Sequence, residues 1–134
     1  MEKLNGRISQ LEGRINNPSK RGEFIVSYVD GWIICTTVNN SKIRFNHNAH
    51  STSLQGGVVQ DSIKLLKEKG ENGIRIGTRQ GEPEKDTFEK FLRNYGQPER
   101  LGSYFPSVLS YLGLAIIFRK GSGLHIKINP NASI

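Results

Sequence analysis

The chain has 134 residues, long enough to bury a core without metal ions or disulfides. Hydrophobic residues make up 35% and charged residues 23%, which excludes a disordered polar chain, and no apolar run approaches the roughly 20 residues of a membrane span. Nineteen Lys and Arg against twelve Asp and Glu give a net charge of +7, which favours a polyanionic partner.

The excess charge is spread evenly: residues 1–67 carry nine basic and five acidic groups, and residues 68–134 carry ten and seven. There is no basic tail. The opening MEKLNGRISQ lacks the apolar stretch of a secretory signal, so a cytoplasmic protein is expected. The single cysteine, Cys35, lies inside the apolar run WIICTTV and reads as a small core hydrophobe. One compact unit covering residues 1–134 is the expected organisation, with no cofactor, no metal and no membrane contact.

In chain order, Leu4, Ile8, Leu11 and Ile15 alternate at spacings of four and three. That spacing predicts an amphipathic helix over residues 1–17, ended by Asn16, Asn17 and Pro18. Its stripe packs either on the chain itself or on a second copy, giving a homodimer. Gly6 and Gly13 weaken such a helix, and two heptads do not sustain a coiled coil unaided.

Over residues 23–46 the period changes. EFIVSYV and WIICTTV flank Asp30-Gly31, a pair that accepts the positive φ of a tight hairpin, and a turn at residues 39–41 leads into KIRFN. The result is a β-meander with one face to cover. NHNAHSTS, residues 46–53, reads as a polar loop.

VVQDSIKLLKEKG then places Val59, Ile63 and Leu66 on one helical face and stops at Gly70. A short extended piece, IRIGT, follows. PEKDTFEKFLRNYG predicts a helix over residues 83–95, with Pro83 in the first turn, acids near its N-terminus, and Phe88, Phe91, Leu92 and Tyr95 at i, i+3, i+4 and i+7. A further helix over residues 103–112 starts at Ser103, tolerates Pro106 in its first turn, and turns Phe105, Val108, Leu109 and Leu112 inward. LAIIFRK and LHIKIN flank Gly121-Ser122-Gly123 and form a second hairpin. The fold class is α+β: an N-terminal helix and β-meander followed by a helix-rich unit with a hairpin.

Residues 58–129 therefore run helix, short strand, helix, turn, helix, strand, glycine-rich tip, strand. This order resembles the winged helix-turn-helix family of DNA-binding proteins. The resemblance covers the C-terminal half and rests on element order and turn chemistry rather than on an invariant motif. It implies that residues 83–95 form the supporting helix, 103–112 the recognition helix, and 114–129 the wing.

It further implies nucleic-acid binding, with duplex DNA favoured over RNA. The recognition helix would present Ser103, Tyr104, Ser107, Ser110 and Tyr111. Arg119, Lys120, His125 and Lys127 would reach the backbone from the wing, and Arg100 would clamp a phosphate. The helix departs from the usual pattern in having no Arg, Lys, Asn or Gln, the residues that read bases in bidentate fashion.

Two other functions stand beside this one. The meander and the tyrosine-bearing helix could serve as a protein-interaction surface, as in an inhibitor or assembly factor. His47 and His50, an HxxH pair, could act as general bases in a small metal-independent nuclease or toxin-like ribonuclease. No Cys or Glu at a recognised spacing completes a metal site, and no phosphate-binding loop or serine-nucleophile signature is present. An enzyme is the less favoured class.

Overall fold

The computed structural model describes residues 2–16, 22–47, 57–77, 84–95 and 104–132. The first helix, α1 (Glu2–Ser9), is shorter than its stripe predicts. Leu4 and Ile8 are buried in the chain's own core, so that part of the stripe is occupied and is not presented to a second copy. Leu11 and Ile15 are also buried, but not on a helix. Leu11 turns the chain, its N–H donating to the Ile8 carbonyl, and Ile15 belongs to strand β1 (Glu12–Asn16).

The physical reason for this correction is an edge. Strand β2 (Glu23–Val29) offers a row of backbone groups, and β1 fills it antiparallel from Glu12 opposite Ser27 to Asn16 opposite Glu23. Gly13 is costly in a helix and fits this strand, where a Cβ would overlap the Tyr111 hydroxyl. The expected three-stranded meander thus gains a fourth strand.

Asp30 and Gly31, with φ of 48° and 88°, make the turn to β3 (Trp32–Thr36), as their side chains allow. Strand β4 (Lys42–Asn46) completes the first sheet in the order β1-β2-β3-β4. Alternation sends Phe24, Val26, Ile33, Cys35, Ile43 and Phe45 to the inner face, where all are buried.

Helix α2 (Val58–Lys69) starts at Gly57, whose N–H is accepted by the Gln60 side chain at 2.8 Å, and ends at Gly70 in the left-handed region. After a 3-10 turn over Gly70–Asn72 comes β5 (Ile74–Arg75). Helix α3 (Phe88–Leu92) is shorter than the predicted 83–95 span. Thr87 caps it by accepting the Lys90 N–H at 3.2 Å and bridges in parallel to Arg75, while Asp86 sits at a φ of 58°. Helical backbone cannot satisfy those constraints, so the helix begins at residue 88; Pro83 lies outside the described residues.

Helix α4 (Phe105–Tyr111) carries Pro106 in its first turn, as expected. The second hairpin joins β6 (Ala115–Lys120) to β7 (Gly123–Ile128) through Gly121-Ser122. Only Gly121 has a positive φ, 65°, which is the type II′ pattern. The second sheet runs β5-β7-β6, all antiparallel.

One hydrophobic cluster draws on both sheets and on all four helices. Phe105 is at its centre, with ring centroids 4.5 Å from Phe45 of the first sheet and 6.5 Å from Phe88 of α3. Two polar ties hold the periphery. The Arg7 guanidinium donates to the Leu112 carbonyl, and the Tyr95 hydroxyl donates to the buried Asp61 carboxylate. The molecule is an α+β protein, and no described helix is long and apolar enough to cross a membrane.

Phe105→Ala removes a ring that contacts both halves and is expected to cost about 3–5 kcal/mol in urea unfolding. Val38→Ala, at a side chain 74% exposed, should cost less than about 0.5 kcal/mol.

Candidate nucleic-acid interface

Helix α4 is packed on two sides, by β1 of the first sheet and β6 of the second. This decides the fate of the side chains predicted to face outward. Tyr104 is half-buried with its ring edge-on to Phe24 at 5.3 Å. Ser107 is buried, contrary to expectation, because β1 covers the face it occupies. Ser110 and Tyr111 remain exposed. The Tyr111 hydroxyl points at the Glu12 carbonyl on the edge of β1, 3.5 Å away. Arg100 and Ser103 lie outside the described residues.

Between β1, α4 and β6 runs an open groove of about 450 Å³, lined by Arg14, Asn16, Ser107, Ser110, Tyr111 and Ile116 among others. The exposed part of α4 therefore faces a groove walled by two strands. It is not a helix standing clear of the surface.

The hairpin places its cations differently. Arg119 and Lys120, the last residues of β6, are exposed beside the Gly121-Ser122 turn, as the sequence suggests. His125 is half-buried, its ring 5.6 Å from Phe118 and its Nδ1 3.3 Å from the Gly123 carbonyl oxygen. Lys127 differs from expectation. Its ammonium pairs with Glu71 at 3.3 Å and lies 5.3 Å from the centre of the Phe118 ring, so it braces the base of the hairpin.

A residue that sequence reasoning missed completes the cluster. Arg75 of β5 pairs with His125 across the ladder, and its side chain lies over Gly123. A concavity of about 270 Å³ is lined by Arg75, Arg119, Gly77, Ser122 and Gly123. Glu84 contacts Arg75 at 3.5 Å and offsets part of its charge. The signal for Arg75 was present: an arginine between the buried Ile74 and Ile76 must face outward on a strand. Its position beside the hairpin tip was not, because that depends on β5 joining β7. The register directs Arg75, with His125 and Phe118, to one face of the sheet and Arg119, with Leu124, to the other, so the two arginines flank the hairpin tip from opposite faces, and each offers the planar, forked donor that phosphate oxygens accept from.

His50 lies outside the described residues. His47 is buried, packed edge-on to Tyr28 at 6.1 Å, and burial pushes its pKa below the usual value near 6.5. Among the described residues no three His, Cys, Asp or Glu side chains converge on a metal position. Cys35 is fully buried, and desolvation drives its thiol far above the range in which a thiolate forms. Comparison with protein-family models, curated proteins and solved structures finds no match to this chain.

Because His47 is harder to protonate folded than unfolded, the unfolded chain binds more protons as the pH falls through about 6.5. Stability is expected to drop across that window, seen as a lower urea midpoint at about pH 5 than at about pH 7.5. In His47→Gln the drop should be smaller; an unchanged drop would assign it to other groups.

Proposed function

We propose that this protein binds duplex DNA, with the β6–β7 hairpin acting as a wing on the phosphate backbone. The observation that carries the reading is a concavity at the hairpin tip lined by Arg75 and Arg119, with Lys120 exposed beside it. The net charge of +7 supports the same class of partner. Support also comes from the order α2, β5, α3, α4, β6, β7 and the sheet order β5-β7-β6, both compatible with the winged helix-turn-helix resemblance.

In this reading α4 is a subordinate contact. Its face lacks base-reading side chains, and only Ser110 and Tyr111 of its expected contacts are exposed. Affinity then comes chiefly from backbone charge, and sequence preference from groove shape more than from base edges. Arg75 joins Arg119 and Lys120 as a phosphate contact, while Lys127 supports the hairpin.

Fluorescence anisotropy with a labelled duplex across a salt series tests this. The log of the association constant should fall linearly with log salt, by about 0.9 for each phosphate neutralised. Arg119→Ala with Lys120→Ala should weaken binding and lower the slope by about two, and Arg75→Ala by about one more. Absence of binding at about 50 mM salt, or an unchanged slope in the triple variant, would remove the wing from the mechanism.

A further inference from the structure

The outer face of the first sheet carries an apolar patch within an otherwise polar surface. With Phe24, Val26, Ile33 and Cys35 directed inward, the alternate positions of β2 and β3 point out, and four of them are Ile25, Val29, Trp32 and Ile34. Ile25 is 46% exposed and Val29 49%; Trp32 and Ile34 are half-covered. Register places Ile25 diagonally across from Ile34, with Ser27 between Ile25 and Val29 on β2. Val29 sits directly opposite Trp32, and Ile34 is the next outward residue along β3, about 7 Å on.

Charge is distributed unevenly around this patch. The outward positions of β3 and β4 include Lys42 and Arg44 and no acid, and Arg44 lies opposite Ile34 with its guanidinium 5.6 Å from the centre of the Trp32 ring. Acids border the patch on its other side: Glu23 is the next outward residue before Ile25 and pairs with Arg14 at 3.9 Å, Glu12 lies opposite Ser27, and Asp30 follows Val29 in the turn.

We infer that this face docks a partner protein through an acidic amphipathic segment, whose apolar side covers Ile25, Val29, Trp32 and Ile34 and whose carboxylates meet Arg44 on the β4 side. A carboxylate fits a guanidinium already held over an indole ring, where planar donors are pre-oriented. A single nucleic-acid strand fits poorly, because Arg44 lies over the Trp32 ring and the aliphatic neighbours offer no stacking surface. A second copy of the chain fits poorly too, since each copy brings a net charge of +7.

Trp32 is the only tryptophan in the chain, so its emission reports on this face alone. The full chain is titrated with a synthetic peptide carrying leucine and glutamate at helical spacing. A saturable blue shift is expected, weakened about tenfold or more by Arg44→Glu and by Ile25→Ser, both at exposed positions, with circular dichroism checking the fold. Val29→Ser repeats the apolar arm should Ile25→Ser unfold. No shift with the peptide, an equal shift with a leucine and lysine peptide, or a shift given only by oligo-dT or by phosphatidylserine vesicles overturns the inference.

Discussion

Everything in this fold depends on where Phe105 goes. A helix of seven residues has little stability of its own, because the first turn fixes several dihedral angles before any hydrogen bond is made. Helix α4 exists because its apolar side chains are taken up by neighbours on both sides, with Phe105 against Phe45 of one sheet and close to Phe88 of α3. The same contact ties the N-terminal sheet to the helix and hairpin that follow, so the hydrophobic cluster runs continuously through both. Tyr104 against Phe24 and Arg7 on the Leu112 carbonyl add to that seam.

This seam has a functional consequence. A helix gripped on two sides has less surface left to offer, and the buried Ser107 and the Tyr111 hydroxyl directed at β1 show where it went. The hairpin, by contrast, extends from the core with its tip unencumbered by apolar packing. Cations there cost little to keep solvated and stay available to phosphate, whereas Lys127 nearer the base is drawn into local pairs with Glu71 and Phe118. The proposed division, wing first and helix second, follows from packing more than from motif.

The two proposed surfaces are chemically distinct and built on different sheets. The hairpin tip is cationic around glycine and serine, suited to a hydrated polyanion. The meander face is apolar with cations along one side, suited to a partner that brings both carbon and carboxylate. A protein with both could hold a nucleic acid and a second protein at once, since Arg75 and Arg119 come from β5 and β6 while Trp32 and Arg44 come from β3 and β4.

Much of the architecture was legible in the sequence because it is written locally. Asp30-Gly31 and Gly121-Ser122 set their hairpins through backbone conformations that few other residues accept, and Val59, Ile63 and Leu66 marked α2 by period alone. The α+β class and the exposed Arg119 and Lys120 followed from such local signals. What tertiary structure decided was pairing. Ile15 satisfies a helical stripe and an inward-facing strand position equally well, and only the edge of β2 made the choice. The chemistry of Thr87 and Asp86 is local, but only the bridge to Arg75 shows why α3 starts there. Arg75 reached the hairpin tip, Ser107 was buried and Lys127 was engaged for one reason: each depends on a neighbour distant in sequence, and side-chain period carries no information about which strand or helix that neighbour is.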